Sequence, residues 1–444
     1  MNHAQIEWWK AEPVAPEWRS EKALPAASWE PPQTAVPFWA AMVFIAILLF
    51  SPQAYFPALE SLRPAMIPAV IGISAYVLDR TVFRAPLFIQ GREVWLAGAL
   101  LAWSTVTIPF SIWPGGSVNF LVGYFLKVFA ISWLLSHSAA TLVRLRQTTW
   151  CLSIMAIGLG IFALNNYLTG YVVEQERVVG NEGALTKNPN DLALMVNIIV
   201  PLTIALLLSN RRPWVRLALF GMLVAEGLTV ISTFSRAGFL TLGFILLTYA
   251  WKLRRRAGRV WVNAILIFAL LTVPLLPSSY FTRMSTIIHT EQDATGSAGE
   301  RWTDMMIAVR YALSSPIVGA GVGMNVVAMN EARGGEWRPV HNVFLEYTMD
   351  LGVPGLLLFV WLLWTSVKTA ADVHRQAVQT VETKELAYLA EGIHISLLAF
   401  AVSAMFYPVG YNPYFFYLAA LALAARAVLD SMRSECLEQP NPQS

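Results

Sequence analysis

The feature that most constrains this chain is a series of long apolar runs, each about as long as a helix crossing a lipid bilayer. A bilayer core takes about 20 mostly apolar residues per helix. Twelve stretches meet that description, at about 37–56, 64–80, 93–110, 117–136, 149–168, 191–209, 214–233, 236–252, 260–277, 342–366, 387–406 and 413–430. Inside lipid only helices and closed barrels satisfy every backbone group. The expected fold is therefore an all-α integral membrane protein with about 12 transmembrane helices. Composition agrees, since the chain is 56% hydrophobic and 13% charged, against roughly 25% charged in a soluble domain. Those values exclude a soluble enzyme, a disordered chain and a nucleic-acid binder. The 31 basic residues nearly balance the 28 acidic ones, which argues against a general polyanion-binding surface. Cys151 lies in an apolar run and Cys436 in a polar tail, so neither a disulfide framework nor a metal site is indicated.

Basic residues orient the spans. Cytoplasmic loops carry an excess of Lys and Arg. With the N-terminus in the cytoplasm, 21 of the 31 basic residues fall on the inner side, nine on the outer side, and Lys127 within a span. Both termini are then cytoplasmic. Residues 1–35 hold Pro13, Pro16, Pro25, Pro31 and Pro32 among five glutamates, and are expected to form a disordered cytoplasmic tail rather than a signal peptide. Trp8, Trp9, Trp18 and Trp29 suit it to rest at a membrane surface. The expected organisation places transmembrane helices 1–9 in 36–277, with a short outer loop at about 169–190. A long, partly helical outer loop follows at 278–341, then helices 10–12 in 342–430 and a cytoplasmic tail at 431–444. In the long loop, Ser297 and Glu300 form a capping-box pattern. Trp302, Met305, Met306, Val309 and Leu313 follow at helical spacing, and Ser314-Ser315-Pro316 stops the helix. Such an amphipathic helix suits either the membrane surface or the top of the bundle.

The outer face collects the chemistry. Arg177 lies in EQERVVGNEG, Lys187, Asn188 and Asn190 in TKNPND, Arg236 in STFSRAGF, Arg301 at the start of the loop helix, and His341 with Asn342 in HNVFLEYTMDLGVPG. Ionisable groups at spans are expensive and mark function by default. Arginine's planar, always-charged fork suits phosphate, and a histidine suits proton transfer near neutral pH. Together they point to an anionic substrate and a proton acceptor, with no metal or other cofactor. Each also has an ordinary explanation. Arg177 suits a solvated loop, Arg236 a snorkelling side chain, Arg301 a water-facing helix position, and His341 a polar helix start. Glu226 suits a bond to a neighbouring helix, and Glu346 and Asp350 are offset from His341. GAGVG at 319–323 reads as a glycine turn, because no Lys-Ser/Thr follows to make a phosphate loop.

HNVFLEYTMDLGVPG resembles the signature of the O-antigen ligase and O-antigen polymerase superfamily of bacterial envelope glycosyltransferases. His341, Asn342, Gly352 and Gly355 match its spacing. NPND, SRAG, and an arginine-led helix before SPIVGAGVG extend the likeness over roughly residues 170–370. The resemblance implies an inner-membrane enzyme with a periplasmic site. It would move a glycan from an undecaprenyl-pyrophosphate carrier to lipid A–core or another glycan acceptor. The resemblance also implies catalytic roles for His341, Arg236 and Arg301, and substrate contacts from Arg177, Lys187, Asn188, Asn190 and Asn342. Polymerases and protein O-oligosaccharyltransferases share the signature. A transporter of lipid-linked sugar is the non-enzyme alternative, although it would place its polar groups near the midplane.

Overall fold

The structure, a computed structural model, describes residues 32, 34–89, 91–173, 177–181, 185–254, 260, 263–264, 267, 278–285, 297–335 and 337–438. The tail expected at 1–35, except residues 32, 34 and 35, lies outside these residues. So does most of the candidate span at 260–277.

The bundle is built from α1 (Val36–Phe50), α2 (Met66–Val82) and α3 (Arg92–Val106). A seven-residue helix α4 (Pro114–Phe120), a π turn (Leu121–Phe125) and α5 (Leu126–Ser138) form one further span. Next come α6 (Leu142–Leu168), the short antiparallel pair β1 (Val172–Val173) and β2 (Arg177–Val178), α7 (Pro189–Ser209), α8 (Pro213–Ser232) and α9 (Arg236–Leu253). The long loop contains α10 (Ser278–Ser285), α11 (Ser297–Ser314) and α12 (Asn325–Arg333). The last three spans are α13 (Val343–Ala377), α14 (Lys384–Ser403) and α15 (Pro413–Glu438).

Eleven of the twelve apolar stretches are thus helices. Among the described residues, nine helical segments are long and apolar enough to cross a membrane, which makes the chain a multi-pass, all-α membrane protein. The expected count of twelve is reached neither by α2, with 17 residues, nor by α9, which carries Arg236 and Lys252 at its two ends. α11 runs Ser297–Ser314, ending just before Pro316 as the sequence pattern expects.

α7 is the buried hub. All but a few of its residues are covered by neighbours. Gly392 of α14 packs tightly against it: a Cβ there would lie 2.8 Å from both Ala205 Cβ and the Pro201 carbonyl. Pro201 interrupts the hydrogen-bond ladder of α7, and its carbonyl accepts the Tyr249 hydroxyl at 3.1 Å. Glu226 of α8 accepts from Thr203 of α7 at 2.8 Å, and Thr203 pairs with Ser153 of α6 at 2.8 Å. Glu226 is therefore a tie between helices, as a buried carboxyl in lipid must be.

α13 is not one helix. Gly352 has φ 66° and ψ −172°, so the ladder breaks after Leu351 and restarts at Val353. At membrane depth the freed backbone groups need protein partners. The segment after α11 supplies them. The Ala320 and Gly321 N–H groups donate to the Met349 and Asp350 carbonyls at 2.6 and 2.9 Å, and Val353 N–H donates to the Pro316 carbonyl at 2.7 Å. The Trp103 indole donates to the Leu351 carbonyl at 2.8 Å. GAGVG is the complement of this break rather than a phosphate loop. Gly319, Gly321 and Gly323 all have positive φ, and a Cβ on Gly319 would sit 2.4 Å from the Met349 carbonyl. Asp350 completes the join. Its carboxylate accepts from Gly323 N–H at 3.1 Å, Asn325 Nδ2 at 3.0 Å and Asn325 N–H, and so caps α12.

Gly352 therefore tests the join. A Cβ there would lie 2.2 Å from the Ile317 carbonyl, in a backbone region that L residues avoid. Gly352→Ala should lose at least about 1–3 kcal/mol and lower the melting temperature of the detergent-purified protein. Gly98→Ala in α3, where an added methyl meets nothing within 4 Å, should leave the melting temperature unchanged or slightly raised.

Candidate active site

Helix starts build the site. Asn188 caps α7, its side chain accepting from Asn190 N–H at 2.8 Å, and Pro189 occupies the first turn. Ser235 caps α9 by accepting from Gly238 N–H at 3.1 Å, which makes Arg236 the first helical residue. Asn342 caps α13 by accepting from Leu345 N–H at 3.1 Å, directly after His341. Arg301 lies in the first turn and a half of α11. Capping side chains such as these satisfy N–H groups that have no partner within the helix. The N-terminal ends of these helices carry partial positive charge and favour anions.

Hydrogen bonds join the pieces. Arg177, on β2, donates through Nη2 to Asn190 Oδ1 at 2.8 Å and through Nε to the Thr233 carbonyl at 3.2 Å. Asn190 Oδ1 also accepts from the Ser235 hydroxyl at 2.8 Å. The Ser235 and Tyr407 hydroxyls are 3.2 Å apart. Because the Ser235 proton is committed to Asn190, Tyr407 is the donor in that last pair. The result is a relay from Tyr407 through Ser235 and Asn190 to Arg177. The turn before Ser235 is strained: Phe234 has φ 51° and is held by its ring packing on Tyr280, centroids 5.3 Å apart. Such strain persists only where surrounding contacts over-determine it.

Charge focuses on His341. Burial, then the positive fields of Arg301, Arg338 and Arg333, lower its pKa from 6.5 to about 4, opposed by the Pro339 backbone carbonyl. The imidazole is therefore neutral at physiological pH. Tyr407 responds to the same charges. Burial raises its pKa, while Arg301 and Arg177 counteract that rise. Arg301 thus acts on both His341 and the relay that ends at Arg177.

The loop arginines divide by their partners. Arg333 pairs with Asp304 at 2.6 Å, both side chains nearly buried, and Arg338 pairs with Glu300. These two pairs clamp α11 on either side of Arg301 and orient that helix toward His341. Asn342 also reaches the Met405 carbonyl at 3.4 Å, and Val343 N–H bonds the Ala404 carbonyl at 2.8 Å. These contacts seat the 404–412 loop, with Tyr407, beside the start of α13. Glu346 accepts from Gly410 N–H at 2.8 Å and braces the same loop.

The structure therefore brings together Arg177, Asn190, Arg301 and His341 of the expected set. Arg236 adjoins the relay through Ser235. Asn188 and Asn342 serve as helix caps, and Lys187 is exposed in the bend before α7. Tyr407 and Ser235 were not singled out by the sequence reading. The pattern FYPVGYNPY between two spans carried a signal for Tyr407, as a polar aromatic on the same face as His341.

Residues 220–360 match the family model described as O-antigen ligase. Over these residues the chain is similar to O-antigen ligases. No curated protein matches it. The matched region contains Arg236, Arg301, His341 and Gly352, whereas Arg177, Asn190 and Tyr407 lie outside it. Elements on both sides of the matched region thus complete the candidate site.

The relay sets a prediction. A hydrogen bond between neutral groups contributes about 0.5–1.5 kcal/mol. Removing a hydroxyl from the relay, which reaches Arg177 only through Asn190, should thus cost roughly two- to tenfold in activity. Ser235→Ala and Tyr407→Phe should each show this loss, and the double variant should be no worse than the poorer single one. Ser235→Thr, which keeps the hydroxyl and the cap, should retain activity. Initial rates with a lipid-linked glycan donor measure all four variants.

Proposed function

We propose that this chain is an O-antigen ligase-type glycosyltransferase. It moves a glycan from undecaprenyl pyrophosphate to a lipid A–core acceptor at the periplasmic face of the inner membrane. The observation that carries the reading is a neutral, partly buried histidine under the field of Arg301, with a second arginine, Arg177, held through Asn190, Ser235 and Tyr407. The O-antigen ligase match over 220–360, which includes Ser235, Arg301 and His341, supports it, and so does the multi-pass membrane fold.

The geometry suggests the following chemistry. The donor pyrophosphate lies among Arg177, Arg236 and Arg301, at the positive ends of α7, α9 and α11. The acceptor hydroxyl attacks the anomeric carbon. The new C–O bond forms as the bond to the pyrophosphate oxygen breaks, and the hydroxyl proton passes to His341. Undecaprenyl pyrophosphate leaves with the bonding electron pair, its negative charge stabilised by the arginines. This scheme requires no metal, because arginines perform the neutralisation.

Donor binding also tunes the base. Burial, with the arginine charges second to it, holds His341 at about 4, which makes it a weak proton acceptor. A bound pyrophosphate offsets the arginine share of that shift and raises the pKa of the imidazole. The base thus gains strength only when the donor is present.

The deciding experiment uses purified protein in nanodiscs with a lipid-linked glycan, lipid A–core and EDTA. Conjugate should form, and His341→Ala should reduce the rate about 10²–10⁴-fold with the protein still in the membrane. Arg301→Lys should also lose rate, since an ammonium cannot reproduce the bidentate fork. Longer lipid-linked chains formed from the donor alone, with no conjugate, would overturn the ligase reading in favour of a polymerase.

The pH profile gives an independent check. Transfer requires neutral His341, so activity falls as pH drops through its pKa. The acid limb of kcat/KM, which reports the free enzyme, should lie near pH 4. The limb of kcat, which reports the donor complex, should lie at higher pH. Coincident limbs would mean that the pyrophosphate does not reach the arginines around His341.

A further inference from the structure

α11 is amphipathic in the opposite sense to a helix that covers a core. Its inward side carries Asp304, Ala308 and Ala312, all buried. Its outward side carries Trp302, Met306, Val309 and Leu313 in one row, and Ile317 extends the row past the helix end. Steps of four, three and four residues keep these side chains on one face. Leu313 is 75% exposed and Ile317 64%. An uncovered apolar row of this length marks a contact surface.

The end of α11 fixes the depth of that row. Pro316 and Ala320 bond the backbone of α13 on either side of Gly352, and the Ile317 carbonyl faces Gly352 itself. Further along α13, Trp361 and Trp364 are exposed and Lys368 follows. Exposed tryptophans followed by a cation mark a membrane interface, here the one opposite the site. From Trp364 back to Gly352 is about 18 Å of helix, well inside a hydrocarbon core of about 30 Å. Ile317 therefore lies at hydrocarbon depth, while Arg301 lies near His341 at the upper end of the same helix. Val353, Leu357 and Val360 are exposed on α13 immediately beyond the join. The row on α11 thus continues into the lipid-facing surface of a span.

We infer that α11 is a membrane-dipping helix whose outward row is covered by the acyl chains of the leaflet on the site face. Lipid is the occupant because the row is continuous with the surface that lipid already covers. The charges of α11 are placed accordingly. Asp304 is turned inward to Arg333, Glu300 and Arg301 are at the upper end, and Arg310 borders the row, where a long stem can carry its charge to headgroup level. One face of the helix thus reads the membrane while the other carries Arg301 toward His341, so lipid contact sets the height of that arginine.

The test is a depth measurement on the full-length chain with Cys151 and Cys436 replaced by serine, reconstituted in nanodiscs. Leu313→Cys, Ile317→Cys and, as an aqueous control, Glu331→Cys at an exposed position of α12 are each labelled with a small fluorophore. Brominated phospholipid should quench the labels at 313 and 317, and iodide should spare them. Iodide should quench the label at 331. Iodide quenching at 313 and 317 equal to that at 331 would overturn the inference by placing the row in water. Protection from both quenchers would overturn it by showing that another protein segment covers the row. Neither result depends on glycan transfer, so the depth of α11 and the activity of the site are tested separately.

Discussion

The structure depends on one constraint: a helix broken inside a membrane must have its exposed backbone groups satisfied by protein. The break at Gly352 leaves carbonyls at Met349, Asp350 and Leu351 without helical partners. The 316–321 segment and the Trp103 indole supply them. That supply requires the loop to enter the bundle, and three glycines with positive φ let it pass close to α13. Once the loop is held there, the lower end of α11 is fixed. The Asp304–Arg333 and Glu300–Arg338 pairs fix its upper half. Arg301 is left beside His341 as a consequence of the backbone accounting around Gly352. Asp350, which lies nine residues beyond His341, contributes through this join rather than by facing the histidine.

Most of this fold was legible in the chain because lipid imposes a strong length and polarity rule. Eleven apolar runs became helices, although α6, α13 and α15 extend seven to eleven residues beyond their runs. The limits of α11 followed from Ser297, Glu300 and Ser314-Ser315-Pro316. The separation of nine clear spans from two shorter ones was not legible. α2 is close to the shortest length that crosses, and α9 includes two terminal charges in its run. Spacing alone also cannot show that Gly352 breaks α13, since a glycine within an apolar run commonly stays helical. The break becomes visible only beside GAGVG, more than 25 residues earlier in the chain.

Within the candidate site, motif residues were legible and contact residues were not. Arg177, Asn190, Arg301 and His341 stood out as polar groups on one face, and the structure gathers them. Tyr407 and Ser235 act through hydrogen bonds between elements far apart in sequence, which no local pattern records. The loop arginines make the same point. Arg333 and Arg338 are chemically equal to Arg301 in the sequence, and only the ion pairs with Asp304 and Glu300 assign them to clamping the helix.

The arginine arrangement also accounts for a histidine that is a weak base on its own. Burial and then three arginine fields suppress protonation of His341, so the imidazole is neutral and does not trap a proton. If the proposed donor binds there, its negative charge relieves the suppression at the moment when a proton must be accepted. A metal cation placed among the same arginines would add positive charge and push His341 further down. An anionic leaving group has the opposite effect, lending the base strength while the arginines stabilise its departure. On the proposed function, a site built this way favours an anionic donor over a neutral one, since only a charged donor would both meet the arginines and strengthen the histidine.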